Sequence, residues 1–162
     1  MARRSAAAEP SLDVTVLIDA PAELVLRAFF EPAALSAWWQ VTRSVTTPRT
    51  LGPYAVEWRT TDLRDEILGR FGGVFRGTVM QYEAGAGFFV ADVFWLPPDG
   101  EPIGPMALEV RCSRVVHDGR EVTRLRIHQT GCDNSVRWRR YYELFAIDWE
   151  HSLGTLKALL QR

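Results

Sequence analysis

The chain has 162 residues, a length typical of one domain, and its composition of 47% hydrophobic and 24% charged residues is that of an ordinary soluble protein. The formal net charge of -1 excludes the overall basic field that draws a protein to nucleic acid. Six Trp and eight Phe are the exception, and they indicate either a dense aromatic core or rings arranged around a cavity.

The N-terminal residues and the cysteines bear on location. Residues 1–10 contain no apolar run of signal-peptide length and are predicted to be a disordered tail, which leaves residues 11–162 as a single domain. No segment has the length of a membrane span. Cys112 and Cys132 are too few for a disulfide framework or a zinc site, so we expect reduced thiols in a cytoplasmic protein.

A strand and two short helices are predicted first. Apolar and polar residues alternate from 12 to 18, the pattern of a half-buried strand. Pro21 ends this strand and suits the first turn of a helix, which Pro32 closes. A second short helix, 33–39, brings in Trp38 and Trp39.

The middle of the chain has the pattern of a meander of about five strands, at 54–58, 75–79, 88–96, 106–112 and 125–129. The last two form a hairpin with one apolar and one charged face. Asp92 is a charge inside the otherwise apolar 88–96 run, and the pattern does not explain it. Segment 62–73 is predicted to be a mobile loop, with a mouth or lid as its candidate role, and the Pro- and Gly-rich segment 96–106 a loop.

Residues 138–160 have the spacing of one long amphipathic helix, because apolar residues recur at steps of three and four. At about 1.5 Å per residue it would be roughly 35 Å long, enough to cross a sheet. Asp133, Asn134 or Ser135 can cap it, and Gly154 suggests a close approach of another backbone. Its buried side is predicted to carry Trp138, Tyr142, Phe145, Trp149, Leu153, Leu156 and Leu160.

Antiparallel strands beside segregated helices define an α+β fold. The pieces that match a known family are residues 18–23 leading to Trp38-Trp39, Gly73 and Gly77 around Phe75, the run 129–131, and Trp149 with the leucines after it. The order of elements resembles that of the START/SRPBCC (Bet v-like helix-grip) superfamily. Within it the chain is most similar to the homologues of the activator of heat-shock-protein-90 ATPase. The resemblance implies a curved antiparallel sheet of about six strands wrapped around the C-terminal helix.

By the same resemblance, a small apolar molecule would lie between helix and sheet. The residues expected to bind it are Trp38, Trp39, Trp58, Phe75, Val93, Trp95, Met106, Leu108, Val110, Ile127, Gln129, Trp138, Tyr142, Phe145 and Trp149. For any one of these rings, simple core packing is the competing interpretation. Gln129 lies in the inward phase of its strand, so its amide would bond either a helix hydroxyl such as that of Tyr142 or a ligand. His128 should point outward.

Three functions remain open. The first is non-enzymatic binding of a hydrophobic or aromatic small molecule, without a cofactor or metal. The second is a chaperone-associated interaction domain, and the third is an enzyme of the polyketide cyclase or dehydratase kind, with Arg76, Asp92, Glu109 and Tyr142 as candidate groups. The protein would be a monomer or homodimer. Arg137, Arg139 and Arg140 are interpreted as a solvated helix face paired with Glu143 and nearby acids, with an anion or acidic-partner patch as the alternative.

Overall fold

The structure, a computed structural model, describes residues 9–131 and 133–162. Most of the predicted N-terminal tail and Cys132 therefore lie outside the described residues. In chain order the elements are β1 (Leu12–Ile18), α1 (Ala22–Arg27), α2 (Pro32–Trp39), β2 (Arg43–Thr46), β3 (Pro53–Trp58), β4 (Arg64–Asp65), β5 (Gly69–Arg70), β6 (Gly73–Glu83), β7 (Gly87–Leu96), β8 (Ile103–His117), β9 (Arg120–Thr130) and α3 (Val136–Leu160).

Seven of the nine described strands form an antiparallel sheet in the order β1-β9-β8-β7-β6-β3-β2, and the long helix α3 crosses it. This α+β architecture, with two short helices after the first strand, confirms the predicted fold class. The sheet has one strand more than the predicted six. That strand is β2, whose four residues are too few and too polar to produce a clear alternation in the sequence.

The segment predicted as a loop, 62–73, contains a separate two-stranded hairpin made of β4 and β5. Asp65 stabilises its turn, since the carboxylate accepts hydrogen bonds from the backbone N–H groups of Ile67 and Leu68 at 3.0 and 3.1 Å. We call residues 61–72 the flap. Leu68 is the one apolar side chain of the flap's turn that points inward, and only 2% of its surface is exposed.

The prediction that 96–106 is entirely loop is wrong at its end, because β8 already begins at Ile103. Two residues of β8, Gly104 and Pro105, lie between the pairs Trp95–Ile103 and Val93–Met106, where β7 has only Phe94. This irregularity admits the proline, which cannot donate to a strand neighbour. A Cβ on Gly104 would lie 2.4 Å from the ring of Phe94, so the glycine is required there.

The unexplained charge in β7 also lies at a bulge. Asp92 has a φ of 51° and is exposed, and the register with β6 and with β8 shifts around it. The extra residue turns one side chain out of the inward phase, so a carboxylate can occur inside an apolar strand without being buried.

Helix α3 begins at Val136, and the Ser135 hydroxyl accepts a hydrogen bond from the backbone N–H of Trp138, which makes Ser135 the N-cap. The expectation for Gly154 is wrong, since a Cβ built there meets nothing within 4 Å. No helix among the described residues is both long and apolar enough to cross a membrane.

Candidate functional site

The rings between α3 and the sheet pack directly on one another in two groups. The Trp39 group joins the short helices, the sheet and the middle of α3, and consists of Phe29, Phe30, Trp38, Trp39, Tyr54, Trp58, Phe75, Tyr82, Phe88 and Trp149. The Trp95 group joins β7 to the first turns of α3, and consists of Trp95, Trp138, Tyr141, Tyr142 and Phe145.

The Trp39 group has the contacts of a packed core. The ring of Trp39 lies 4.9 Å from that of Trp38 and 4.7 Å from that of Trp149, measured between centroids. The indole of Trp38 donates to the carbonyl of Ala28, and that of Trp58 to the carbonyl of Trp39. Because these N–H groups are bonded to backbone, the Trp39 group offers a ligand little besides apolar surface.

The Trp95 group surrounds a buried polar pair. The rings of Tyr141 and Phe145 stack with centroids 4.1 Å apart, and Trp95 contacts both. Gln129, from β9, is fully buried beside them, and its Nε2 donates to the hydroxyl of Tyr141 at 2.7 Å and to the sulfur of Met106 at 3.1 Å. Desolvation raises the pKa of Tyr141 above its ordinary value, so the hydroxyl stays neutral.

The carbonyl oxygen of Gln129 has no hydrogen-bond partner. Among the buried side-chain nitrogen and oxygen atoms of the described residues, Oε1 of Gln129 is the one that lacks a hydrogen-bond partner. Buried polar groups in folded proteins are nearly always bonded, and an exception requires an explanation. The sequence prediction that Gln129 bonds a helix hydroxyl is borne out for the amide nitrogen, but the hydroxyl is that of Tyr141; Tyr142 donates to the carbonyl of Gly131 at 2.6 Å.

The flap lies over the Trp95 end of the helix and sheet. Its base contacts Trp95, whose indole donates to the carbonyl of Gly72 at 3.0 Å. Its turn is held by Arg140 of α3, which forms an ion pair with Asp65 at 2.8 Å. This hydrogen-bonded guanidinium holds the pKa of Asp65 below its ordinary value. Arg70 and Arg64 add ion pairs to Asp99 at 3.3 and 3.2 Å.

Two surface clefts are found among the described residues; neither is lined by a member of the Trp95 group, and the second is lined in part by Phe30 and Tyr82 of the Trp39 group. One, of about 470 Å³, is lined by residues of β1, the β8–β9 turn and the last turns of α3, including Asp19, His117 and Lys157. The other, of about 430 Å³, lies between α1 and the β6–β7 turn. None of the fifteen residues predicted to bind a ligand lines either cleft.

Of the fifteen predicted residues, Trp58 and Phe145 are partly buried and the other thirteen are buried. They do not form one surface, because Trp149 joins the Trp39 group whereas Trp138, Tyr142 and Phe145 join the Trp95 group. Sequence reasoning missed Tyr141 and Leu68. The spacing from Trp138 through Tyr141 to Phe145 also fits a helical face, so Tyr141 could have been found; Leu68 lies in a segment without periodicity.

The candidate catalytic side chains do not meet. Arg76 is exposed and lies over the outward ring of Phe94, and Asp92 is exposed at its bulge. Glu109 forms an ion pair with Arg111, and Tyr142 is bonded to Gly131. Within residues 9–131 and 133–162, no three His, Cys, Asp or Glu side chains come together as metal ligands.

The arginines at the start of α3 contact neighbouring loops. Arg137 donates to the carbonyls of Glu101 and Pro102, while Arg140 is bonded to Asp65 and to Glu143. Arg139 is exposed. The predicted pairing with Glu143 and a nearby acid is found for Arg140, whereas Arg137 differs from the prediction because it bonds backbone carbonyls of a neighbouring loop.

This architecture is a helix-grip α+β domain, and solved structures share it. Protein MLL2253 from Mesorhizobium loti is 19% identical, with 93% of this chain and 96% of that chain covered and a TM-score of 0.67. The Aha1 dimer from Colwellia psychrerythraea is 14% identical over 93% of this chain and 96% of that chain, with a TM-score of 0.60.

DynU16, of the dynemicin biosynthetic locus, is 18% identical over 94% of this chain and 48% of its own, with a TM-score of 0.59. These likenesses establish the fold. No protein-family model and no curated protein sequence matches the chain.

Proposed function

We propose that this protein binds a small hydrophobic or aromatic molecule at the Trp95 group, beneath the flap, and performs no chemistry on it. Apolar burial would supply most of the binding free energy, at about 25 cal/mol per Å². A few polar atoms would fix the orientation, as in other small-molecule sites.

The unpaired Oε1 of Gln129 is the observation that carries this proposal. Leaving a buried acceptor without a donor costs about 1 to 3 kcal/mol. A side chain such as Leu or Met would fill the same position without that cost, yet the chain has an amide there, fully buried among rings and a thioether. A bound molecule that donates to Oε1 accounts for both the amide and its unpaired oxygen.

Because the rings are packed, some side chain must give way for a ligand to enter, and Leu68 is the best candidate. It is buried in the core cluster but belongs to the flap, whose two strands pair only with each other. Besides Leu68, the flap is held by the hydrogen bond of Trp95 to Gly72 and by ion pairs of Arg64, Arg70 and Arg140. The two pairs with Asp99 are partly exposed and weak individually. We propose that the flap swings outward, Leu68 leaves the core, and the ligand takes its place.

The test is a pair of cavity-forming variants. Leu68→Ala should lower the free energy of unfolding by about 2 to 5 kcal/mol, and 1-naphthol or 1-methylnaphthalene should restore part of it by filling the space. Leu26→Ala is the matched control, because Leu26 is fully buried in α1, which contacts β8 and lies beside Gly85 in the β6–β7 turn, at the opposite end of β7 from Trp95. Thermal denaturation with and without each probe gives the readout.

Rescue of Leu68→Ala together with a raised Tm of the wild-type protein would support the proposal. Equal rescue of both variants would indicate a nonspecific response to any cavity, and no binding to the wild-type protein or to Leu68→Ala would refute it. Native mass spectrometry of the purified chain should in addition detect a co-purifying small molecule.

The chaperone-associated role has weaker support. Similarity to the Aha1 dimer favours that branch of the superfamily, but at 14% identity. Among the described residues, the outer face of the sheet carries ion pairs, such as Arg126 with Asp13 and Arg111 with Glu109, which an apolar partner surface would have to desolvate. A cyclase-like role would require polar groups that converge, and the candidates are dispersed.

A further inference from the structure

We propose that Gln129 makes the site selective for uncharged apolar or aromatic molecules that carry a hydrogen-bond donor, such as a phenol hydroxyl or an N–H. This inference rests on the proposed function and names the class of ligand. It follows from which atoms of the Gln129–Tyr141 pair are already bonded.

The amide of Gln129 has two N–H bonds and both have acceptors. One points to the hydroxyl of Tyr141 at 2.7 Å and the other to the sulfur of Met106 at 3.1 Å. The remaining capacity of this side chain is the carbonyl oxygen, which can only accept. A ligand that bonds Gln129 without displacing Tyr141 or Met106 must therefore donate.

The contact with Met106 fixes which way the amide points. A thioether sulfur accepts hydrogen bonds weakly and never donates them. If the amide were reversed, its oxygen would face the sulfur, acceptor against acceptor, and both buried N–H bonds would leave their present acceptors. The orientation with Nε2 toward Met106 satisfies two donors and leaves a single acceptor, so it has the lower energy.

The neighbouring donors of the Trp95 group are largely engaged. The indole of Trp95 is bonded to Gly72 and the hydroxyl of Tyr142 to Gly131. The hydroxyl of Tyr141 accepts from Gln129, and its own proton remains able to serve an acceptor on the ligand. The nearby charges, Arg140 and Asp65, are paired with each other, so an ionised ligand would be buried without a counter-charge.

Three naphthalene probes separate these contributions. 1-Naphthol donates and accepts, 1-methoxynaphthalene only accepts, and 1-methylnaphthalene does neither but equals 1-naphthol in size. Calorimetric titration of the full chain should give a Kd for 1-naphthol roughly three- to tenfold lower than for either of the other two, the effect of one added hydrogen bond.

Substitution then assigns the preference to a residue. In Gln129→Met, which removes the acceptor at similar volume, the advantage of 1-naphthol should disappear. The double variant Gln129→Met/Tyr141→Phe removes the whole polar pair and gives the same test without leaving the hydroxyl unpaired. Thr123→Val is the matched control: its buried hydroxyl lies on the same strand and bonds the carbonyl of Ala20, so the preference should persist.

The outcomes of these titrations distinguish failure of the selectivity proposed for Gln129 from failure of the proposed binding function. If all three probes bind equally, or the preference persists in Gln129→Met, the site exists but Gln129 does not select donors. If 1-methoxynaphthalene binds as tightly as 1-naphthol, the Tyr141 proton controls selection and the inference is overturned. If none of the probes binds, the proposed function itself is wrong.

Discussion

At the scale of single residues, Trp149 shows how packing distinguishes a core ring from a ligand contact. It is 3% exposed and its ring lies against Trp39, whose own carbonyl is bonded by Trp58. We expect Trp149→Ala to lower the free energy of unfolding by about 3 to 5 kcal/mol, because the lost ring leaves a cavity in a dense group. Chemical denaturation measures this directly.

Ile147 provides the comparison on the same helix. Its side chain is 66% exposed, so Ile147→Ala should change stability by no more than about 0.5 kcal/mol. A small loss for Trp149→Ala accompanied by abolished binding of the naphthalene probes would contradict the assignment of Trp149 to the core and make it a ligand contact.

The sequence predicts the buried face of α3 better than it predicts which residue of that face makes a given contact. A stripe with steps of three and four can follow Tyr141 or Tyr142, and both prove to be buried because the wide arc of α3 faces a curved sheet. The pairing of Gln129 with Tyr141 depends on which way each tyrosine leans. That choice is made by the tertiary contacts of Trp95, Phe145 and Gly131, which no local pattern contains.

At the scale of elements, α3 contains one correctable weakness. Gly154 lies inside the helix, is exposed, and has open space where a Cβ would project. Gly154→Ala should therefore raise the free energy of unfolding by about 0.5 to 1 kcal/mol, since alanine loses less backbone entropy on folding.

Gly77 is the matched control for that substitution. A Cβ there would lie 2.7 Å from Cγ1 of Val90 and 2.8 Å from the carbonyl oxygen of Ala91. Gly77→Ala should destabilise the sheet, so the two substitutions have opposite signs. Destabilisation by Gly154→Ala would mean that this turn of α3 contacts something beyond the described residues.

Long periodic elements were predictable and short irregular ones were not. The 25 residues of α3 repeat their pattern over several turns, whereas β4 and β5 have two residues each and depend on Asp65, Asp99 and Arg140 for their position. The start of β8 could not be predicted because Pro105 is normally a strand breaker, and it is accommodated here by a bulge between β7 and β8. Both cases depend on partners distant in sequence.

At the scale of the whole molecule, stability should fall in acid. Four carboxyls of the described residues have pKa values lowered by hydrogen bonds in the folded state: Asp13 with Arg126, Asp65 with Arg140, Asp99 with the backbone of Arg70, and Asp133 with the backbone of Ser135. A lowered folded-state pKa contributes stability that is complete above the unfolded pKa and is lost as the pH falls through the folded one.

We therefore expect the free energy of unfolding contributed by these groups to be constant from pH 7 to about 5 and to decline below about pH 4. Urea titrations across this range measure it. Asp65→Asn should lower stability at neutral pH and make the acid decline shallower. A wild-type curve that stays level down to about pH 2 would contradict the assignment of these ionic hydrogen bonds.

The pairing of β1 with β9 has a consequence for how the chain reaches its fold. Leu12 pairs with Gln129 and Ile18 with Thr123, so the first strand completes the sheet only against the last. During synthesis, β1 leaves the ribosome long before β9 does. Its apolar residues therefore remain unpaired while β6, β7 and β8 form hairpins. Closing so large a loop costs more chain entropy than closing a hairpin, so we expect this pairing to form late. The strand that holds Gln129 is thus also the one on which completion of the sheet depends.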